Sequence, residues 1–343
     1  MPADALPEAF EPRRILLVKP SALGDVVHAL PVANLMKKRW PRSHLAWWVS
    51  RPFASLLETH PAVDEVVPWD RQRGATIGEH LSAGRELSRR LKDGAFDLAV
   101  DLQGLLRSAL PAWRARIPVR VGFAAAREGA WLGYTHRVAD PPGLRHAVER
   151  YLDVADFLGC GRTPVDFDIR VTDADEARAD ELLAPLKGRP FALLMPGTNW
   201  PTKRWPAAHF TTLATLVESH LSLAPVTAGA ADAAEAAAGV PGLNLTNQTT
   251  VRELIALLKR AALVVCNDSG PMHLAAALRR PLVALFGPTD PHRTGPFGSE
   301  QSVVRLDVPC APCLSRRCAH QTCLAALSPG DVLGRCRAAL QHG

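Results

Sequence analysis

Residues 261–278 (Ala-Ala-Leu-Val-Val-Cys-Asn-Asp-Ser-Gly-Pro-Met-His-Leu-Ala-Ala-Ala-Leu) constrain the fold more than any other stretch. They read as a buried strand at 263–266, a polar elbow at 267–270 and an apolar helix beginning near Pro271. Asn267, Asp268 and Ser269 are side chains that favour helix N-caps, and proline is favoured in a first turn. A helix start leaves N–H groups unpaired and carries partial positive charge, so it can hold a phosphate. A second apolar run, 282–286, breaks at Gly-Pro-Thr-Asp-Pro, 287–291. Two strand ends beside one helix N-terminus form the place where open α/β sheets bind nucleotides.

The chain has 343 residues, enough for two domains with full cores. Its 47% hydrophobic content is that of a globular protein, not a disordered one. Residues 1–12 carry acids and prolines without an apolar centre, so no signal peptide is expected. No segment approaches the roughly 20 apolar residues of a bilayer span. The expectation is a cytoplasmic protein. A net charge of +6 mildly favours an anionic partner: a phosphorylated substrate, an anionic membrane surface or nucleic acid. Nucleic acid is set aside, because no binding motif and no basic helix with interleaved aromatics is present. Among seven cysteines, Cys160 and Cys266 read as buried core thiols. Cys310, Cys313, Cys318 and Cys323 cluster, the first two as C-x-x-C. In a cytosolic protein such a cluster suggests metal more than disulfide, with loop thiols that only pack as the alternative. C-x-x-C alone is a weak ligand signal, so no metal and no cofactor is assigned.

The first half opens on a strand at 15–18, then Lys19-Pro-Ser-Ala-Leu-Gly-Asp25, then a helix to about Trp40. Further strands are expected at 45–49, 65–67, 98–101 and 120–122, with helices at 77–92, 105–114 and 146–158. Strands alternating with helices argue for a parallel sheet covered on both faces. Past 158 a loop and a short extended piece, 166–170, lead into a charged helix that ends at Lys187-Gly-Arg-Pro190. The linker falls in this region and gives domains of 1–170 and 171–343. The second half repeats the alternation, with strands at 191–195 and 223–227, a helix at 206–220, and a capping box, Thr250-Val-Arg-Glu253. A last helix starts at Ser328 and runs to about Leu340. Segments 15–31 and 263–278 both run strand, polar elbow, helix with a histidine. That is the pattern of two Rossmann-like domains facing across a cleft. Neither half has G-x-G-x-x-G after its first strand, which counts against a dinucleotide oxidoreductase.

Asp25 sits at the carboxyl edge of the first sheet, where a helix start favours an ionised carboxylate. Such a group can take a proton from a sugar hydroxyl, or serve only as a helix cap. Lys203 lies in a loop, 196–206, where an ammonium can neutralise a leaving diphosphate or simply face solvent. Two tryptophans and three prolines argue that this loop is held in place. His273 can donate to a phosphate or sugar, or pack as a satisfied core histidine. Asp101-Leu-Gln-Gly104 ends a strand at the same sheet edge as Asp25. Arg71, Arg73, Arg127 and Arg145, if clustered, suit a phosphorylated acidic acceptor.

Together these segments resemble the ADP-heptose:lipopolysaccharide heptosyltransferases, a family of inverting GT-B glycosyltransferases. The first half is similar to heptosyltransferase I in Lys19-Pro-Ser-Ala-Leu-Gly-Asp-Val-Val-His-Ala-Leu-Pro31, Asp101-Leu-Gln-Gly-Leu-Leu-Arg-Ser108, Ala126-Arg-Glu128 and His146-Ala-Val-Glu-Arg150. The second half is closer to heptosyltransferase II in Pro196-Gly, Lys203-Arg-Trp-Pro206 and Asn267-Asp-Ser-Gly-Pro-Met-His-Leu-Ala-Ala-Ala277. The resemblance implies Asp25 as general base and Lys203 on the donor phosphates. It implies donor contacts from Ser21, Gly24, Thr198, Asn199, Asp268, Ser269, Gly270 and His273. It implies acceptor contacts from Arg71, Arg73, Gln103 and Arg127. The donor is then ADP-heptose, and the acceptor is phosphorylated lipid A–Kdo or an already heptosylated core. The enzyme would lie peripherally on the inner membrane. One departure stands out: where the family often has an acid for the adenosine ribose, this chain has Ala233, with Asp232 and Glu235 as possible substitutes. Rival readings are a heptosyltransferase for a protein or other glycan, a non-catalytic sugar-nucleotide binder, and a metal-binding interaction module at the cysteines.

Overall fold

The computed structural model describes residues 6, 9–69, 76–141 and 143–342. The chain divides into two compact units, Met1–Arg170 and Val171–Gly343. Unit 1 runs β1 (Arg14–Val18), α1 (Leu23–Arg39), β2 (His44–Ser50), α2 (Ala54–Glu58), β3 (Glu65–Trp69) and α3 (Ile77–Asp93). It continues through β4 (Leu98–Asp101), α4 (Leu106–Arg114), β5 (Val119–Phe123), β6 (His136–Val138) and α5 (Ala147–Phe157). Unit 2 begins with α6 (Asp173–Leu183), β7 (Phe191–Met195), α7 (Ala207–Leu221), β8 (Ala224–Thr227), α8 (Ala234–Ala237) and β9 (Leu243–Asn244). It ends with α9 (Val251–Arg260), β10 (Leu263–Asn267), α10 (Gly270–Ala277), β11 (Leu282–Leu285), α11 (Pro291–Thr294), β12 (Val303–Val304), α12 (Thr322–Ala325) and α13 (Pro329–His342).

Each unit holds a six-stranded sheet whose described pairings are all parallel. The orders are β3-β2-β1-β4-β5-β6 and β12-β11-β10-β7-β8-β9. Counted from the first strand of each unit, these are one topology, the 3-2-1-4-5-6 order of the Rossmann fold. The central strands β1, β7 and β10 are apolar and almost wholly buried, as strands covered on both faces must be. The expected strands form within a residue or two of their sequence bounds. Three edge strands, β6, β9 and β12, were not foreseen. They are two or three residues long and pair on one side only, so they carry no apolar run to read.

The segment 166–170, expected as an extended piece, joins neither sheet. Its carbonyls accept instead from unit 1 side chains: Asn34 Nδ2 on Asp166 (2.8 Å) and Thr59 Oγ1 on Arg170 (2.9 Å). The charged helix α6 packs on α9 through Lys259–Glu176 (2.8 Å), Arg260–Asp180 (2.9 Å) and Arg252–Asp175 (3.2 Å). The Thr250 capping box forms as expected, with Thr250 N–H donating to Glu253 (2.7 Å). It is worth about 1 kcal/mol.

Candidate functional site

In each unit the strand order reverses between the first and fourth strands, β1/β4 and β7/β10. The crevice beyond the carboxyl ends of such a strand pair is where open α/β sheets take ligands. With the exception of Arg71, Arg73, Arg127, Arg145, Asp232 and Glu235, the candidate donor, acceptor and catalytic residues fall on a loop or helix start leaving one of these four strands. Arg71 and Arg73 lie outside the described residues.

In unit 1 the β1–α1 elbow carries Ser21, half-buried, and Gly24, buried in the first turn of α1. Asp25 is the third residue of that helix, and its Oδ2 accepts from the Ala22 N–H at 3.0 Å. The capping role is therefore real. It leaves Oδ1 uncommitted to the cap and fixes where the carboxylate points. A second group holds the same oxygen: Lys19 Nζ lies 3.7 Å from it. Lys19 is buried, its ammonium 3.3 Å from Leu102 O and 5.1 Å from the centre of the Tyr151 ring on α5. Burial opposes its charge, yet Tyr151, Asp25 and Asp101 outweigh that and raise its pKa above the ordinary lysine value. Lys19 lies in the motif, where the sequence alone assigns it no role. The signal that could have found it is a lysine at the end of an apolar strand, where solvation is scarce.

Asp101, at the end of β4, likewise has no role assignable from sequence alone. It accepts from the N–H groups of Gln103 (2.8 Å) and Gly104 (3.1 Å), from Ser108 Oγ (2.7 Å) and from Tyr134 OH (2.8 Å). Burial pushes its carboxyl pKa up although all four donors pull the other way. Asp101 thus shapes the loop that presents Gln103, whose Oε1 is buried without a hydrogen-bond partner. Arg127 joins this loop, its N–H donating to Gly104 O at 3.0 Å while its side chain is exposed. Arg145 does not join it: its guanidinium is bound to Asp153 and Glu149. Asp153 is held below the usual carboxylate range despite partial burial, by hydrogen bonds from Arg145 and Arg162.

In unit 2, Lys203 is no solvated surface lysine. Its Nζ sits 2.6 Å from Asp268 Oδ2 and 4.7 Å from the Trp200 ring centre. Asp268 is buried and also accepts from Thr289 Oγ1 at 2.6 Å. Thr198 Oγ1 donates to Asp268 O at 3.2 Å; Asn199, beside it, is exposed. Asn267 ties the two strand ends together, donating to Pro196 O (2.7 Å) and accepting from the Trp205 N–H (3.1 Å). None of Asn267, Asp268 and Ser269 caps α10 through its side chain, contrary to the sequence expectation: the first two are spent on cross-links. Ser269 occupies the cap position, but its Oγ makes no cap bond and is buried without a partner. Gly270 is the first residue of α10, and His273 is buried one turn in. The result is a helix start with a spare hydroxyl and an ammonium nearby in the same network, a set of donors suited to a diphosphate.

The cysteine segment buttresses this loop. Ser315 O accepts from Thr202 Oγ1 (2.8 Å), and the Arg316 guanidinium lies 4.3 Å from the centre of the ring that Lys203 also contacts. Arg316 is a second cation that sequence spacing gave no reason to single out. Cys310 and Cys313 are exposed and Cys323 is buried; burial and the nearby Cys310, Cys313 and Cys318 raise the Cys323 pKa. No group of three or more His, Cys, Asp or Glu among the described residues is arranged to hold a metal ion. Cys266 is buried as expected, whereas Cys160 is only partly so.

Residues 84–324 match the model of glycosyltransferase family 9 (heptosyltransferase). The chain belongs to glycosyltransferase family 9. It is 33% identical over 320 residues to lipopolysaccharide heptosyltransferase 1 of Pseudomonas aeruginosa, covering 90% of this chain and 88% of that one. It is 30% identical over 313 residues to lipopolysaccharide heptosyltransferase 2 of Escherichia coli, covering 85% and 88%. The solved structure of the E. coli heptosyltransferase WaaC with ADP superimposes with a TM-score of 0.74 at 26% identity, covering 95% of this chain and 99% of that one. The fold is GT-B and the chain is a glycosyltransferase. Similarity to both type 1 and type 2 enzymes matches the mixed character of the motifs.

Proposed function

We propose that this chain moves L-glycero-D-manno-heptose from ADP-heptose to the inner core of lipopolysaccharide, either to Kdo or to a first heptose. Unit 2 is the donor domain and unit 1 the acceptor domain. The observation that carries this reading is the Lys203–Asp268 pair beside a helix start whose Ser269 hydroxyl lacks a partner. ADP sits there, its diphosphate met by the Lys203 ammonium and the first N–H groups of α10. Asp25 takes the proton of the acceptor hydroxyl. That oxygen bonds to the anomeric carbon on the face opposite ADP, and the carbon–phosphate oxygen bond breaks. One displacement inverts the centre, and the charge left on ADP is stabilised by Lys203.

For the ribose, the structure favours one of the two candidate acids. Ala233 is buried with its Cβ close to Gly197 and Gly229, and its methyl group offers a ribose no carboxylate. Asp232 Oδ1 lies 3.2 Å from where a Cβ on Gly197 would stand, beside Thr198. Glu235 lines a recess with Trp205 and His320. Asp232 therefore takes the ribose hydroxyls. Gln103 and Arg127 face the acidic acceptor. Because that acceptor is lipid-linked, the chain works at the cytoplasmic face of the inner membrane, held peripherally. No helix among the described residues is long and apolar enough to cross a membrane.

The test is a transfer assay with ADP-heptose against truncated cores, read by mass spectrometry and by the anomeric configuration of the product. Transfer to a Kdo- or heptose-terminated core with inversion is expected. Transfer to none of them, with tight ADP-heptose binding, would leave a binding protein instead.

A further inference from the structure

Helix α4 leaves one face uncovered. Leu106, Leu110 and Trp113 recur at i, i+4 and i+7, one stripe of the helix. Leu106 is 45% exposed and Trp113 52%, while Leu132, on the turn packed against α4, is 67% exposed. These side chains border a shallow apolar groove of about 240 Å³. Its floor is fixed: Ala109, Ala130 and Tyr134 are buried together, and Tyr134 is anchored on Asp101. Apolar side chains displayed on a rigid base this way mark an interaction surface.

The rim says what the partner is. Arg107 and Arg114 flank the stripe and are exposed, as is Arg116 just beyond it. The Arg137 guanidinium stacks on Trp131, itself exposed, at 4.6 Å. Residues 102–138 contain a single carboxylate, Glu128, against six arginines. Leucines at the tip, tryptophans beside them and arginines around both is the composition of a surface that enters a bilayer interface: indoles rest at headgroup level and guanidinium groups meet anionic lipid.

We propose that α4 and the 129–133 turn are the surface by which this chain docks on an anionic phospholipid bilayer, with Leu106 and Leu132 entering the acyl boundary. The inference rests on the reading that the acceptor is lipid-linked. It also gives the Asp101 network a further purpose. The Gln103 loop runs directly into α4, so docking this helix presents the loop to headgroups and to sugars attached to them.

The test is cosedimentation of the full chain with phosphatidylglycerol-containing vesicles and with phosphatidylcholine vesicles. Wild type binds the anionic vesicles, and binds the zwitterionic ones at least about tenfold more weakly. The double variant Trp113→Ser/Leu132→Ser loses about tenfold or more in binding. Leu132→Ser alone, at an open side chain off the helix, loses a smaller part. Arg114→Gln/Arg116→Gln weakens binding to anionic vesicles and flattens its salt dependence. Binding by the variants equal to wild type overturns the proposal, as does a wild type that ignores anionic vesicles. So does a homodimer in sedimentation velocity that the double variant dissolves. Transfer to a deacylated, soluble core is read in parallel and stays unchanged in these variants. If wild type fails that assay yet binds vesicles, the functional reading falls and the docking surface stands.

Discussion

In unit 1 the Lys19 side chain is the buried member of its ion pair, 4% exposed, and Asp25 the accessible one at 38%. In unit 2 the order is reversed: Asp268 is 5% exposed and Lys203 16%. Both pairs stand at the switch point of the same topology, but not on the same strands: Lys19 and Asp25 both follow the first strand, whereas Lys203 follows the first strand of its sheet and Asp268 the fourth. A buried charge is costly without a partner, so in each pair the hidden member anchors the open one. One fold thus presents a carboxylate from one unit and an ammonium from the other. On the proposed reading the carboxylate serves as proton acceptor and the ammonium as counter-charge for the leaving phosphate.

Removing each open member separates the two roles. Asp25→Asn keeps the fold and the affinity for ADP and lowers turnover on the order of 10²–10⁴-fold, the loss expected for a general base. A turnover near wild type would remove Asp25 from the chemistry. Lys203→Ala acts on binding as well. Loss of a charge-assisted contact of about 1.5–3 kcal/mol raises the Kd for ADP by roughly 10- to 100-fold in calorimetry. It also strands Asp268 with Thr289 as its remaining side-chain partner, which costs about 3 kcal/mol in denaturant unfolding. An unchanged ADP affinity in a destabilised protein would make the pair structural only.

The strands and elbows were legible because buried parallel strands are long apolar runs and the elbows break them with Gly, Asp and Pro. The capping box at Thr250 and the strand at Phe191–Met195 could be read directly. The edge strands could not, since two residues such as Val303–Val304 carry no period. The site was half legible. Asp25 and Lys203 stood out as single residues, but the partners that define them did not. Lys19 sits six residues from Asp25, and Asp268 sixty-five from Lys203, so only tertiary packing reveals either pair. The same holds for Ser269: spacing made it a cap, whereas its free hydroxyl is visible only once Asn267 and Asp268 are seen to be engaged elsewhere.

The ribose contact sharpens the unit 2 side further. Asp232→Ala raises the Kd for ADP about tenfold, the weight of one hydrogen bond to a charged group, and leaves the Kd for pyrophosphate unchanged. Glu235→Ala changes neither. If the loss falls on Glu235 instead, the recess beside Trp205 holds the ribose and the assignment reverses.

The smallest effect belongs to the buried lysine. The Lys19 pKa is raised in the folded chain, because Tyr151, Asp25 and Asp101 together outweigh the burial that opposes its charge. A raised ammonium pKa contributes stability that is complete below the unfolded value, 10.5, and is lost as pH climbs through the folded value. The difference in unfolding free energy between wild type and Lys19→Met is therefore level from neutral pH to about 10 and closes at higher pH. Tyr151 is pushed up mainly by its own burial, and because it is present in both proteins its titration largely cancels in the difference. A difference that stays level well above 10.5 would show that Lys19 acts by packing alone, and the anchoring of Asp25 would then rest on the Ala22 N–H.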